Sequence, residues 1–137
     1  MKRLPPGVFT TDEEIPSTEL HPSDIAQILD RYLTTRKRFL RNEYNIWHLS
    51  EDTGIPVNQI SHLINEEKKM SFNDFIDRYR INYCLEFLQR APIRELSMFD
   101  LSVICGFPNP AAFSRSFKKV TRSSPLKYIK NLRVGGV

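Results

Sequence analysis

The feature that most constrains the fold of this chain is a segment that occurs twice. His48–Leu63 aligns with Asp100–Ser116, with an offset of 52 residues before the turn and 53 residues after it. Each copy has a small residue four positions before a glycine, and these residues are Ser50 and Gly54, and Ser102 and Gly106. Two helices that cross steeply need a small side chain at their contact and a corner residue that tolerates positive φ. The repeat therefore predicts two helix-turn-helix units.

A plain αα-corner is the alternative interpretation of either copy taken alone. Two in-register copies separated by a long helix are much harder to explain in that way. A helix-turn-helix leaves its second helix protruding, so that the outer face of this helix is free to enter a DNA groove about 12 Å wide. Function is therefore expected on the second helix of each unit.

Apolar spacing predicts helices throughout the chain from Pro22 onwards. The first has apolar residues at i, i+3, i+4, i+7 and i+8, namely Ile25, Ile28, Leu29, Tyr32 and Leu33. Further helices are expected over about 46–53, 56–67, 71–89 and 97–106, and from Pro110 and Pro125 onwards. The long helix over 71–89 is expected to bury Phe72, Phe75, Ile76, Tyr79, Tyr83, Leu85 and Leu88. No segment has a convincing strand pattern, so the predicted fold class is all-α.

The predicted elements divide the chain into four parts. Residues 1–20 have no helical period and contain three prolines, which is typical of a flexible tail or a linker remnant. Residues 21–70 would form the first helix-turn-helix subdomain, 71–90 a central connecting helix, and 91–137 the second subdomain.

Positive charge is concentrated at the C-terminal end. The formal net charge is +4, but Leu101–Val137 contains seven Lys and Arg residues and no Asp or Glu, so the rest of the chain sums to −3. This asymmetry favours a surface that faces a polyanion, and a basic face that is merely solvated is the alternative.

Several other functional classes lack their sequence signals. We find no nucleophile motif, no phosphate-binding glycine loop and no metal-ligand spacing around His21 or His48, and therefore expect neither catalysis, nor a cofactor, nor a metal. Cys84 and Cys105 lie in apolar helical patterns and are expected to be buried, reduced thiols. No apolar run approaches the roughly 20 residues of a membrane span, and the N-terminus does not resemble a secretory signal. A cytoplasmic location is expected.

Two strings carry a family resemblance. In LSVICGFPNPAAFSRSFKKVTRSSPLKYIKN, the specific elements are Gly106-Phe107, Phe113-Ser114-Arg115, Phe117-Lys118-Lys119 and Ser124-Pro125-x-x-Tyr128. In GIPVNQISHLINEEKKMSFNDFIDRYRINYCLEFL, they are Ser71-Phe72-x-x-Phe75 and Arg80. Together they resemble the DNA-binding domain of AraC/XylS-type bacterial transcription regulators over about residues 43–130. The resemblance implies about seven helices, with two reading helices that enter successive major grooves on one face of the duplex.

Carried over by position, the resemblance also implies which side chains contact bases. These are Asn58, Ser61 and His62 in the first reading helix, and Ala111, Ala112, Ser114 and Arg115 in the second. Helical spacing agrees for two groups of positions. Positions 58, 61, 62 and 65 lie opposite the apolar residues Ile60, Leu63 and Ile64, and positions 111, 114, 115 and 118 lie opposite Phe113 and Phe117.

The basic candidates differ in their expected partners. Arg115 is the strongest candidate for a base contact, since its planar fork suits guanine O6 and N7, with a phosphate contact or a solvated side chain as alternatives. Lys118, Lys119 and Arg122 are expected to contact phosphates. His62 either donates to a base or phosphate or only packs at the groove.

The chain departs from the family pattern at several positions. His62 stands where many members have Arg or Gln, and Asn65-Glu66-Glu67 replaces a basic stretch. Lys69 and Arg122 each stand where the family usually has Gly. We therefore expect the first unit to bind more weakly than the second.

Two further residues have predicted structural roles. Arg80 is expected to be an ion-pair partner inside the scaffold, with Asp74, Asp77 or Glu86 as its partner. Trp47 is expected to pack where the first unit meets its neighbours.

The predicted function is sequence-specific binding of double-stranded DNA in transcription regulation. The alternative is a protein-interaction module on the same scaffold, in which the unit with Glu66 and Glu67 binds a partner such as RNA polymerase. A sensor or dimerisation domain missing from this chain is a further expected partner.

Overall fold

A computed structural model describes residues 20–90 and 96–135, and their regular structure is helical. The helices are α1 (Pro22–Arg36), α2 (Ile46–Thr53), α3 (Val57–His62), α4 (Phe72–Arg90), α5 (Met98–Ile104), α6 (Pro110–Thr121) and α7 (Pro125–Gly135). A 3₁₀ turn, Arg38–Leu40, follows α1, and a π-helical turn, Leu63–Glu67, continues α3. No strand occurs within these two ranges, which confirms the predicted all-α class with seven helices. Most of the predicted tail, residues 1–19, lies outside the described residues.

Side-chain caps explain where several helices begin. Ser97 Oγ accepts a hydrogen bond from the Asp100 N–H, and Asp100 accepts from the Ser97 N–H, which confirms the start predicted for α5. Ser71 Oγ accepts from the Asp74 N–H at 3.1 Å and caps α4 as expected. Asn109 Oδ1 accepts from the Ala112 N–H at 2.8 Å and caps α6. Each bond satisfies a backbone donor that the first helical turn leaves unpaired.

Two hydrophobic cores share the central helix α4. The first is built from α1, α2, α3 and the N-terminal half of α4, and its buried residues include Leu29, Leu33, Leu49, Ile60, Ile64 and Ile76. The second is built from the C-terminal half of α4 with α5, α6 and α7, and includes Ile81, Cys84, Leu101, Cys105, Phe113 and Phe117. Both cysteines are buried free thiols, as predicted. The hydrogen bond with Cys84, together with burial, raises the pKa of Cys105 far above its ordinary value.

The burial pattern of α4 differs in part from the prediction. Phe75, Ile76 and Leu88 are buried as expected, whereas Phe72, Tyr79, Tyr83 and Leu85 are only partly buried. Arg80 and Ile81 are buried although the predicted stripe omitted them. The reason is that α4 serves two cores along its length, so no single stripe describes its buried side.

Two apolar residues lie on the surface against expectation. Ile28, predicted inside the α1 stripe, is 37% exposed, and Trp47 is 69% exposed, so the packing role predicted for Trp47 is wrong. Trp47 stands two positions before the fully buried Leu49, which places it about 200° around the helix, on the opposite face.

Within the described ranges, no helix combines the length and apolar content needed to cross a membrane.

Candidate nucleic-acid interface

The first helix-turn-helix unit consists of α2, a turn at Gly54, and α3. Gly54 has φ of 79°, and its N–H donates to the Ser50 carbonyl oxygen at 2.8 Å. Ser50 Oγ donates across the turn to the Ile55 carbonyl oxygen at 2.6 Å. The small polar residue and the glycine that the repeat singled out therefore close this turn together.

The second unit closes its turn with a different hydrogen bond. Gly106 has φ of 91°, and the Phe107 N–H donates to the Ser102 carbonyl oxygen at 2.9 Å. Ser102 is fully buried, and its Oγ donates to the Phe99 carbonyl oxygen of its own helix at 2.7 Å. The predicted need for a small side chain and a left-handed glycine is confirmed in both units, although the hydroxyl has a different partner in each.

The first reading helix, which is α3 with the π-helical turn that continues it, buries one face and exposes the other. Ile60 and Ile64 are fully buried, and Leu63 is nearly so. On the opposite side Asn58 and His62 are exposed and Ser61 is partly exposed. Asn65, within the π-helical turn, donates from Nδ2 to Ser61 Oγ at 3.0 Å, so these two polar side chains form one unit on the outer face.

The second reading helix, α6, has the same separation of faces. Phe113 and Phe117 are fully buried. Of the residues predicted to contact bases, Ala111 and Arg115 are exposed and Ser114 is partly exposed on the other side, whereas Ala112 is partly buried and packs against the second core. The small side chains at the beginning of α6 leave its N-terminal turn open to close approach by a ligand.

The predicted phosphate-contacting residues cluster around the C-terminal half of α6. Lys118, Lys119 and Arg122 are exposed, and with Arg115 they line one shallow groove. The same groove is lined by two carboxylates of α4, Asp74 and Asp77, which from the sequence were expected only as partners for Arg80. The position of these carboxylates beside α6 follows from packing between distant segments, and no local sequence signal indicates it.

Lys69 and Arg122, which stand where the family resemblance implies glycine, both have a left-handed backbone conformation. Lys69 has φ of 57° and Arg122 has φ of 66°. At the end of the first unit the Lys68 N–H donates to the Leu63 carbonyl oxygen and the Met70 N–H to that of Ile64, which terminates the helix around Lys69. The chain therefore retains both helix ends without the residue that adopts them most easily.

Arg80 is confirmed as an ion-pair partner within the scaffold, and its carboxylate is Asp77. Only 7% of Arg80 is exposed, and Nη1 lies 3.0 Å from Asp77 Oδ1. Nε donates to the Phe39 carbonyl oxygen at 2.7 Å and Nη2 to that of Arg41 at 2.9 Å. Burial lowers the pKa of Arg80 and the charge of Asp77 opposes this shift. The guanidinium remains charged, because its ordinary pKa is so high.

His21 and His48 both make structural contacts. His21 Nδ1 accepts from the Ser23 N–H and caps α1. His48 Nδ1 accepts from the Asn45 N–H at 3.1 Å, and its ring stacks on Tyr44. No group of three His, Cys, Asp or Glu side chains suited to a metal occurs in the ranges that the structure describes.

Comparison with protein families identifies the domain. A family described as "Helix-turn-helix domain" matches residues 49–131, more than half of the chain and both units. The chain belongs to the AraC-type helix-turn-helix family. AraC-type domains are DNA-binding transcription regulators, and this is the functional class of the chain. No significant match to a curated protein sequence is found.

Solved structures share the AraC-type fold. A protein of unknown function from Listeria innocua is 28% identical, with a TM-score of 0.60 over 77% of this chain and 95% of that one. A probable AraC family transcriptional regulator from Rhodopseudomonas palustris CGA009 is 18% identical, with a TM-score of 0.63 over 79% of this chain and 96% of that one. The DNA-binding domain of AdpA, described as a global transcriptional factor in complex with a target DNA, is 15% identical, with a TM-score of 0.61 over 80% and 93%.

Proposed function

We propose that this domain binds double-stranded DNA in a sequence-specific manner, with α3 and α6 in successive major grooves. The observation that carries the proposal is that both reading helices expose the polar face predicted for base contacts and bury the other. The DNA complex of AdpA, whose domain has the same fold, supports the choice of ligand. We propose 21–70, 71–90 and 91–137 as the first subdomain, the connecting helix and the second subdomain.

The second reading helix is the main anchor in this proposal. Arg115 would donate to guanine O6 and N7, while Ala111 and Ala112 would contact thymine methyl groups and Ser114 a base edge. Lys118, Lys119 and Arg122 would contact phosphates, which supply affinity without sequence information.

The first reading helix has the weaker set of contacts. Asn58 would bind adenine, and Ser61 and His62 would donate to bases or phosphates. The exposed Glu66 and Glu67 follow these residues and repel phosphates, which reduces the contribution of this unit.

Selection of bound duplexes from a random pool tests the proposed function. We expect a motif in two parts that lie on one face of the duplex. Binding of the selected duplex should be steeply salt-dependent, with a loss of about 10³–10⁵ in affinity between 50 and 200 mM salt for roughly 6–10 phosphate contacts. Recovery of duplexes with no shared motif would contradict sequence-specific binding.

A second candidate function is a protein-interaction module, with RNA polymerase as the partner considered. The 69% exposure of Trp47 on the first unit favours it, because large exposed aromatic side chains are enriched at protein interfaces. A domain of this kind would retain purified polymerase in a pull-down without DNA, and Trp47→Ala would abolish the retention. Equal retention of polymerase by the parent and the variant would show that Trp47 does not contribute to the proposed contact.

The remaining expectations belong to the same proposal. We propose a cytoplasmic, non-catalytic domain that works without a cofactor and is regulated by a sensor or dimerisation domain outside this chain. Fusion of the domain to an inducible dimerisation module tests the last point, since dimerisation should strengthen binding to a duplicated site and leave binding to a single site unchanged.

A further inference from the structure

One polar network and one close backbone contact join the two subdomains. Arg80 of α4 donates to the carbonyl oxygens of Phe39 and Arg41, which lie between α1 and α2 in the first subdomain. Its ion-pair partner Asp77 accepts from Ser116 Oγ of α6 at 3.0 Å through its second carboxylate oxygen. The second reading helix is therefore connected to the first subdomain through two side chains of α4.

The close backbone contact lies beside this network. A Cβ built on Gly106 would lie 2.9 Å from the Cα atom and from the carbonyl oxygen of Leu40. The turn of the second unit thus packs directly on the 3₁₀ turn that follows α1, with no side chain between them. The Arg80 guanidinium also lies 5.7 Å from the centre of the Phe107 ring, which follows Gly106.

This junction resists small displacements of one unit against the other. A guanidinium has its donors in one rigid plane, and Arg80 uses them in three directions at once. Because Arg80 is buried, a shift that lengthened one of these bonds would leave a charged donor without a partner. Backbone packed on backbone at Gly106 has no rotamer that can adjust.

We propose that Arg80 and Asp77 are positioning residues that hold α3 and α6 at one spacing, so that the domain selects DNA by the distance between two subsites. A subsite is the stretch of base pairs under one reading helix. The inference rests on the proposed function and adds to it a selectivity that no single base contact provides. Each base pair inserted between the subsites moves one of them by about 3.4 Å and turns it by roughly 35°. A rigid pair of reading helices cannot follow this change.

Three variants loosen the junction by different amounts. Arg80→Lys keeps the charge and loses the planar fork, and Asp77→Asn keeps the shape and loses the charge. Ser116→Ala removes only the hydrogen bond from α6 and leaves Arg80 fully bonded, so it serves as the test if the other two variants fail to fold. None of the three residues belongs to the proposed base or phosphate contacts. Leu29→Ala, in the first core and outside the network, is the control for loss of stability alone.

The experiment measures affinity for the selected duplex, for versions with one or two base pairs inserted between the subsites, and for the second subsite alone. We expect the parent domain to lose about tenfold or more with the first insertion, because the base contacts of one unit are lost. Arg80→Lys and Ser116→Ala should reduce this penalty to less than about threefold, with unchanged affinity for the single subsite. Leu29→Ala should keep the parent penalty.

The outcomes separate the inference from the proposed function. If Arg80→Lys and Ser116→Ala keep the parent penalty, or weaken every duplex equally, the residues are structural only and the positioning role is overturned while the proposed function stands. If the parent selects no two-part motif, the proposed function fails, and the inference fails with it.

Discussion

Lys119 Nζ of α6 lies 3.1 Å from Asp74 Oδ2 of α4. A lysine proposed to contact phosphate is thus paired with a carboxylate of the same domain, in the groove that also contains Arg115 and Arg122. Both partners are substantially exposed, so the pair contributes about 0–1 kcal/mol to stability. Its larger effect concerns DNA, because Asp74 places a negative charge where phosphates are expected.

Asp74→Asn should strengthen DNA binding. Removal of one negative charge next to the phosphates should raise affinity about twofold to fivefold at low salt and less at high salt. A fluorescence anisotropy titration at two salt concentrations measures this. Glu86→Gln is the control, since it removes an exposed charge from the other half of α4 and should leave affinity unchanged. Weaker binding by Asp74→Asn would place the proposed phosphate path elsewhere.

Arg115→Ala and Lys118→Ala should weaken DNA binding in different ways. Arg115→Ala should lose about 1–3 kcal/mol on the selected duplex and relax base preference at one position. Lys118→Ala should weaken all duplexes evenly and lower the slope of log affinity against log salt by about 1. Competition with single-base variants of the selected duplex distinguishes the two. If Arg115→Ala keeps the full base preference, its assignment to a guanine is wrong.

Lys69→Gly should stabilise the domain. Lys69 has φ of 57°, and glycine at this position should gain about 0.5–1 kcal/mol after its greater freedom in the unfolded chain is subtracted. Lys68→Gly is the matched control, since Lys68 has φ of −98° and glycine there should lose about 0.5–1 kcal/mol. Urea unfolding of both variants checks this, and a Lys69→Gly variant less stable than the parent would contradict it.

The two turn glycines should differ in their tolerance of alanine. A Cβ at Gly54 would have nothing within 4 Å, so Gly54→Ala should cost only the left-handed conformation, about 0.5–1 kcal/mol after the greater freedom of glycine in the unfolded chain is subtracted. Gly106→Ala should cost roughly a further 1–3 kcal/mol, because its Cβ would collide with the Leu40 backbone. Equal losses in chemical unfolding would mean that the Gly106–Leu40 contact relaxes easily.

Trp47 should behave as a surface residue. It is the only tryptophan of the chain, so its fluorescence reports on this position alone, and its 69% exposure predicts red-shifted emission and efficient quenching by acrylamide. Trp47→Ala should change the free energy of unfolding by less than about 0.5 kcal/mol, whereas Leu49→Ala, two positions away and fully buried, should cost about 2–5 kcal/mol. Blue-shifted emission that acrylamide does not quench would show that Trp47 is buried.

Helices, turns and the identity of the reading faces could be predicted because they depend on neighbours along the chain. Apolar spacing determines which side of α3 or α6 is buried, and Gly54 and Gly106 mark the corners wherever the units lie. Local caps such as Ser97 with Asp100 could be predicted for the same reason. The sequence was less informative for α4, since Arg80 and Ile81 are buried by segments far away in the chain.

The amino-acid sequence by itself determined that this protein is a pair of helix-turn-helix units with a basic second unit. Only the tertiary structure decided how the units are joined, through Arg80 on the Phe39 and Arg41 carbonyl oxygens, and which carboxylates lie beside α6. The physical reason is the distance along the chain over which each interaction acts. Backbone hydrogen bonds and helical periodicity act over a few residues, whereas the partners of a buried charge or a glycine contact are chosen by packing between elements distant in the chain.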